Sequence, residues 1–158
     1  MRKVFTLAMV VKNNKLLLGK KQAKLGAGLW NGFGGKVEPG ETVEEAAMRE
    51  CKEEAGIQPL KVEKFGTLVF HHPTPLLGFR EHEVHVFAVN EYIGELLESN
   101  EMRELTWFSM DEIPYDLMWD DDRHWLPLLL AGKRFSGAFW FDDKQELIDW
   151  KVRGSIAV

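Results

Sequence analysis

The pattern of apolar and polar positions predicts several strands and two separated helices. Residues 4–11 and 15–19 are apolar runs joined by Asn13 and Asn14, which is typical of a β-hairpin. Further strands are predicted at residues 62–71, 83–90 and 105–109, and a final hairpin at residues 135–141 and 146–152. We therefore expect one domain, residues 1–158, with an α+β or mixed α/β fold.

Local signals give the bounds of the two helices. Thr42 and Glu45 form a capping box for a helix over residues 42–55, and Gly56 is a typical C-terminal stop. The preceding residues 26–40 are rich in glycine and are interpreted as a loop. A second helix is predicted through Trp125 to residues 128–130, with Asp121 or Asp122 as its cap.

The first helix carries glutamates on the face that should be buried. At about 100° per residue, Val43, Ala46, Ala47 and Cys51 form one apolar stripe. Glu50 and Glu54 each lie roughly 20° from Val43, in the middle of that stripe, and Glu53 falls near its edge. Charges on a glutamate-rich helix usually face water, but here that face carries Glu45 and Lys52 instead.

Buried like charges need a counter-ion. The spacing of Glu50, Glu53 and Glu54 makes their side chains converge, which raises their pKa values unless a cation neutralises them. Mg²⁺ suits a few carboxylates, bound water and phosphate oxygens, and Mn²⁺ is an alternative. Arg49 is placed to hold a nearby carboxylate, Glu41, by a bidentate pair.

Composition and charge narrow the choice of partner. The net charge is −5, so we expect no polynucleotide partner, because such proteins usually carry a basic face. No stretch approaches the roughly 20 apolar residues of a membrane helix. With Cys51 as the sole cysteine, no intrachain disulfide forms. We expect a cytoplasmic monomer that does not bind membranes.

The segment from Gly35 to Ile57 resembles the Nudix box, Gly-x5-Glu-x7-Arg-Glu-U-x-Glu-Glu-x-Gly-U, where U is an apolar residue. All seven fixed residues are present, and Cys51 fills an apolar position. The resemblance implies the Nudix fold, a mixed sheet sandwiched between helices, and cleavage of a nucleoside diphosphate linked to another group. The catalytic residues that it implies are Glu41, Arg49, Glu50, Glu53 and Glu54. The metal ligands that it implies are Gly34, through its carbonyl, with Glu50, Glu53, Glu54 and Glu101.

Segments outside the box resemble one branch of the family, the oxidised-purine nucleoside triphosphatases related to bacterial MutT. They are residues 30–36, 101–103 and 118–122, with similarity over nearly the whole chain. This implies hydrolysis of an oxidised purine triphosphate to the monophosphate and pyrophosphate. The substrate-binding residues expected from this resemblance are Thr6, Lys21, Asn31, Phe33, Gly34, Gly35, Lys36, Trp119, Asp120, Asp121, Asp122 and Phe141. Leu25 and His72 stand where aromatic pocket residues are expected, which can change the damaged base that fits best.

The residue types support a base pocket independently. Trp119 offers a face for stacking a purine, and Asn31 presents a donor and an acceptor together. Asp121 and Asp122 do not both ionise easily in an enclosed pocket, so one of them can hold a proton and donate. The alternative is structural: Asp121 as a helix cap and Trp119 as core. The sequence leaves open which aspartate is protonated and which box glutamate orients the attacking water.

Two other functions stay open. One is a Nudix hydrolase of an alkylated purine triphosphate, a dinucleoside polyphosphate or a nucleotide sugar. The other is a non-catalytic Nudix sensor, although such domains usually lose box glutamates and here all are present. Isoprenoid diphosphate isomerase shares the box but needs a catalytic cysteine outside it, and Cys51 lies inside.

Overall fold

The computed structural model describes residues 2–23 and 25–154. The predicted domain also includes residues 1, 24 and 155–158, which lie outside the described residues. The strands are β1 Arg2–Lys12, β2 Lys15–Lys21, β3 Trp30–Asn31, β4 Phe33–Lys36, β5 Gln58–Pro59, β6 Glu63–Leu76, β7 Phe79–Val89, β8 Tyr92–Ile93, β9 Met102–Ser109, β10 Phe135–Phe141 and β11 Leu147–Gly154. The helices are α1 Val43–Ala55 and α2 Asp122–Leu130, with a 3₁₀ turn at Tyr115–Leu117.

Nine strands of the described chain form one mixed sheet in the order β11-β10-β6-β7-β1-β2-β3, with β4 paired to β1 and β9 to β2. β1 runs parallel to β7 and β6 parallel to β10, and the other pairs are antiparallel. β1 changes partner along its length: residues 10–12 pair with β2, and residues 5–8 pair with β4.

The two helices cover opposite faces of the sheet. Because side chains alternate along a strand, Ala8 and Val10 of β1 join the apolar cluster that contains Cys51 of α1. Met9 lies in the other cluster, which contains Trp125 of α2. The predicted fold class, a mixed sheet between helices, is confirmed. Neither helix in the described residues is long and apolar enough to span a membrane.

Helix α1 begins and ends as its sequence predicts. The Thr42 hydroxyl accepts from the Glu45 amide at 3.0 Å, and the Glu45 carboxylate accepts from the Thr42 amide at 2.9 Å. Gly56 ends the helix in the left-handed region, with φ of 76°, where a side chain is strained. The buried face includes Ala46, Ala47 and Cys51, which places the box residues against the sheet.

Three local predictions need correction. The glycine-rich segment 26–40 is not all loop, because it contains the short strands β3 and β4. β6 continues to Leu76, beyond the predicted end at residue 71, because Pro73 and Pro75 lie in an exposed stretch where missing amide donors are tolerated. Asp121 precedes α2, but its side chain makes no capping hydrogen bond.

The packing beneath α1 generates a stability prediction. Leu17 is fully buried, so Leu17→Ala is expected to lower the free energy of unfolding by about 2–5 kcal/mol through lost burial and a residual cavity. Leu60 is 57% exposed, and Leu60→Ala should change it by less than about 0.5 kcal/mol. Urea unfolding of both variants measures the difference, and equal losses would contradict the assigned core.

Candidate active site

One cavity of about 220 Å³ lies where β1 changes partner, and it reaches from α1 to the start of α2. It brings together most of the substrate-binding residues predicted from the sequence. Those that line it are Thr6, Lys21, Asn31, Gly34, Gly35, Trp119, Asp121, Asp122 and Phe141, and Leu25 and His72 line it as well. Residues from widely separated segments thus form a single site.

Three predicted substrate-binding residues lie outside this cavity. Phe33 is fully buried in the core beneath α1, because it pairs with Ala8 and shares that face of the sheet. Lys36 is exposed, and its carbonyl accepts a hydrogen bond from Arg49 at 3.0 Å. Asp120 is exposed beside the buried pair Asp121 and Asp122.

The cavity wall also contains residues that were not predicted, among them Phe5, Phe70 and His82. A signal for Phe70 was present in the sequence. Residues two apart along a strand share a face, so Leu68, Phe70 and His72 lie on the same side of β6. Leu68 belongs to the apolar cluster that contains Trp125. The sequence does not show that this face of β6 lies next to the cavity, because that position depends on tertiary contacts.

The two box glutamates predicted to face inward are buried. Glu54 is 2% exposed and Glu50 is 8% exposed. Glu54 Oε1 accepts a hydrogen bond from the Gly34 amide at 2.9 Å, whereas Glu54 Oε2 is buried without a partner among the described residues. Burial, followed by the nearby Glu50 charge, raises the pKa of Glu54 to about 8. Burial also raises the pKa of Glu50.

Arg49 ties the helix to the preceding loop. Its Nε and Nη2 donate to the two carboxylate oxygens of Glu41 at 2.8 and 2.9 Å, so the predicted bidentate pair is present. The hydrogen bond from Arg49 lowers the pKa of Glu41 to about 2. Arg49 Nη1 also donates to Glu50 Oε1 at 2.8 Å. The guanidinium therefore fixes the orientation of Glu50.

The three box glutamates do not converge as predicted. The Glu53 side chain is 58% exposed and lies 3.3 Å from Arg49 Nη1, on the outer side of the buried pair. The predicted ligand Glu101 is exposed but near enough to raise the pKa of Glu54. Within residues 2–23 and 25–154, no three acidic, histidine or cysteine side chains form a ready-made metal cluster.

The residues present nevertheless fit a divalent cation. The unpartnered Glu54 Oε2 is a buried carboxylate oxygen that a cation would satisfy, and Glu50 lies beside it. Gly35 allows this close packing, because a Cβ at its position would lie 2.6 Å from Glu50 Oε1. The backbone of β4 thus approaches the carboxylates directly.

The acidic pair at the start of α2 forms the polar end of the cavity. Asp121 Oδ2 accepts a hydrogen bond from the Trp125 indole at 2.8 Å, which explains why it does not cap the helix. Burial raises the pKa of Asp121 to about 6. Burial and then the Asp121 charge raise the pKa of Asp122 well above its usual value. Both pKa values are raised, so the pair shares a proton near neutral pH, and the indole hydrogen bond favours the ionised form of Asp121.

Aromatic and amide groups complete the cavity. The Trp119 ring meets Phe141 edge to face, with ring centroids 6.3 Å apart. Asn31 Oδ1 accepts from the Gly32 amide at 2.8 Å, which leaves the amide NH₂ of Asn31 as a donor. A flat, polar-edged molecule therefore finds both a stacking surface and hydrogen-bonding groups here.

Comparison with known proteins identifies the class. Residues 1–129 match the model of the NUDIX domain, and the chain belongs to the Nudix family. The family resemblance and the enzyme class predicted from the box, a Nudix pyrophosphohydrolase, are both confirmed.

Individual relatives are similar over almost their whole length. The oxidized purine nucleoside triphosphate hydrolase of Danio rerio is 44% identical over 95% of this chain and 94% of its own. The mouse protein of the same name (Mus musculus) is 41% identical over 96% of this chain and 94% of its own. The crystal structure of the MutT protein from Bacillus halodurans superposes with a TM-score of 0.80 at 28% identity, covering 95% of this chain and 97% of that one.

The raised pKa of Glu54 generates a prediction for the metal-free protein. Between the ordinary value of 4.5 and about 8, the folded state holds a proton that the unfolded state has lost. Stability therefore falls as pH rises through this window, by up to about 1.4 kcal/mol per pH unit. Glu54→Gln should flatten this decline when thermal unfolding is followed in chelator from pH 5 to 8.

Thermal unfolding of the same proteins is then measured with added divalent cation. Mg²⁺ or Mn²⁺ at pH 8 should raise the melting temperature of the wild type and not that of Glu54→Gln. Glu44→Gln, which alters an exposed glutamate of the same helix, is the control and should behave as the wild type. An identical pH slope in all three proteins would contradict the assignment.

Proposed function

We propose that this Nudix hydrolase converts oxidised purine nucleoside triphosphates to the monophosphate and pyrophosphate, and so removes damaged nucleotides from the precursor pool. One observation carries the proposal: a single cavity joins the buried box glutamate Glu54 to Trp119 and the Asp121–Asp122 pair. Phosphate hydrolysis and base recognition would then take place on the same bound nucleotide. The names of the two vertebrate relatives agree with this substrate class.

Base recognition depends on a stacking surface and a mixed polar edge. The Trp119 indole presents a large aromatic face. Asn31 donates through its NH₂, and the ionised Asp121 accepts. Asp122, whose pKa is raised by burial, has Oδ2 buried without a partner in the described chain, and in its protonated form it can donate. These groups offer both donors and acceptors, so they can match the changed hydrogen-bonding pattern of an oxidised purine.

Phosphate chemistry takes place at the other end of the cavity. Hydrolases of this family generally require a divalent metal ion, and we propose Mg²⁺ here, with Mn²⁺ as an alternative. Glu50 and Glu54 would hold it, assisted by Glu53, Glu101 and the Gly34 carbonyl. The bound ion would neutralise negative charge on the phosphate groups and lower the pKa of a water molecule bound to it.

The chain's own groups then position the substrate. Lys21 lines the cavity near Glu54, and its charge lowers the pKa of Glu54, so the same ammonium is available to a phosphate oxygen. Arg49 is engaged by Glu41 and Glu50 and acts as a positioning residue. We propose that the protein acts as a cytoplasmic monomer on free nucleotides, with neither membrane nor polynucleotide as partner.

A panel of triphosphates tests the substrate class. With Mg²⁺, kcat/KM for 8-oxo-dGTP or 2-hydroxy-dATP should exceed that for dGTP or dATP by about tenfold or more, since about 1.4 kcal/mol of extra hydrogen bonding gives a factor of ten. Product analysis should find the monophosphate and pyrophosphate. Glu54→Gln should lower turnover at least about a hundredfold, because it removes charge from a metal ligand.

Other results from the same panel point elsewhere. Equal rates for damaged and undamaged purines remove the sanitation role. The substrate is a different one if an alkylated purine triphosphate, a dinucleoside polyphosphate or a nucleotide sugar is cleaved faster than the oxidised purines. If Mg²⁺ supports cleavage of none of these triphosphates or alternative substrates, the chain is a sensor.

The acidic pair generates a second prediction. Asp121→Asn should lower the ratio of kcat/KM for 8-oxo-dGTP to that for dGTP by about tenfold, because it removes the acceptor charge from the base edge. Turnover of dGTP should change less. Asp120→Asn alters the exposed neighbour and should leave both values within about twofold. If Asp121→Asn lowers both activities in parallel, the pocket assignment is wrong.

A further inference from the structure

One wall of the cavity comes from the end of the β6–β7 hairpin and contains an imidazole that the function described above does not use. Leu68, Phe70 and His72 share one face of β6, and the last two line the cavity. The His72 ring lies nearly parallel to Phe141, with an interplanar angle of 15° and centroids 5.3 Å apart. This stack holds His72 against the aromatic side of the site.

Unlike His82 and His85, His72 has no hydrogen-bond partner among the described residues. His82 Nε2 is 2.7 Å from the Leu76 carbonyl and 3.2 Å from that of Phe79, so it ties the hairpin end together. His85 Nε2 is 2.8 Å from Glu83. A half-buried imidazole without such a partner loses hydration and gains no hydrogen bond from the protein in return. A ligand in the cavity would supply the missing contact.

The charge state of His72 suits recognition of a neutral base. Burial, with His82 and His71 nearby, lowers the pKa of His72 to about 4. At neutral pH the ring therefore has one donor nitrogen and one acceptor nitrogen. It can accept from an N–H group or donate to a carbonyl without introducing a charge.

We propose that His72 is a specificity-determining residue that hydrogen-bonds the five-membered-ring edge of an 8-oxopurine. The inference rests on the proposed function and adds a second polar contact to it. Asn31 lies in β3 and the Asp121–Asp122 pair lies at the start of α2, whereas His72 lies in β6. The base would therefore form hydrogen bonds along two of its edges. An 8-oxopurine has a carbonyl at C8 and an N–H at N7, and either group matches one imidazole nitrogen. An undamaged purine has no carbonyl there.

Three variants test this role. His72→Phe keeps an aromatic ring for stacking on Phe141 but removes both nitrogens, whereas His72→Gln keeps a donor and an acceptor. His71→Phe is the matched control, because His71 occupies the opposite face of the same strand and stacks on Trp140, with centroids 4.9 Å apart. For each protein, kcat/KM is measured with 8-oxo-dGTP and dGTP in Mg²⁺. Calorimetry of metal-free protein gives the Kd for 8-oxo-dGMP and dGMP.

His72→Phe should lower the ratio of kcat/KM for 8-oxo-dGTP to that for dGTP by about tenfold, the loss of one hydrogen bond worth about 1.4 kcal/mol. The Kd for 8-oxo-dGMP should rise by a similar factor relative to the Kd for dGMP. His72→Gln should keep the ratio within about threefold of the wild type, and His71→Phe within about twofold.

The two proposals fail in different ways. If the wild type prefers 8-oxo-dGTP and His72→Phe keeps that preference, His72 does not determine specificity and the proposed function stands. The same conclusion follows if both nucleotides weaken equally, or if His72→Gln loses as much as His72→Phe, because packing then explains the effect. A wild type without preference overturns the proposed function and this inference with it.

Discussion

Two carboxylates buried on the sheet-facing side of α1 are the constraint around which this molecule is organised. Ionised acids at such positions lose hydration and repel each other, which is costly unless other groups compensate. The structure compensates in part: Arg49 holds Glu50, and the Gly34 amide donates to Glu54. One oxygen of Glu54 is left without a partner in the described chain. The incomplete compensation, rather than the acids alone, is what points to a cation.

The constraint extends from α1 into the loop before it and the strand beneath it. Glu41 fixes Arg49, which in turn orients Glu50, so the loop and the helix form one unit. Gly35 brings β4 into contact with the same carboxylate, which a Cβ at this position would displace. The spacing of the box residues therefore lets Glu41 position Arg49 and lets Arg49 position Glu50.

The sequence was sufficient to predict the features that depend on local periodicity. The inward placement of Glu50 and Glu54, the capping box at Thr42 and the Arg49–Glu41 pair follow from helical spacing and side-chain chemistry. Tertiary geometry was not predictable in the same way. Glu53 turns outward to Arg49, Asp121 binds the Trp125 indole instead of capping α2, and Phe33 packs into the core. Each outcome depends on which neighbour the fold brings near, and spacing along the chain does not specify that.

The long pairing of β1 with β7 affects errors in folding as well as the folded state. Nine successive residues of β1 are in register with β7. Ala8 and Val10 pack in the cluster beneath α1, whereas Phe5 and Leu7, on the other face, line the cavity. A slip of one residue would exchange the two sets, putting Phe5 and Leu7 under the helix and Ala8 on the face that lines the cavity. Such a molecule would lose its core and its cavity together, so this kind of misfolding would give an inactive chain and not a hydrolase with a changed site.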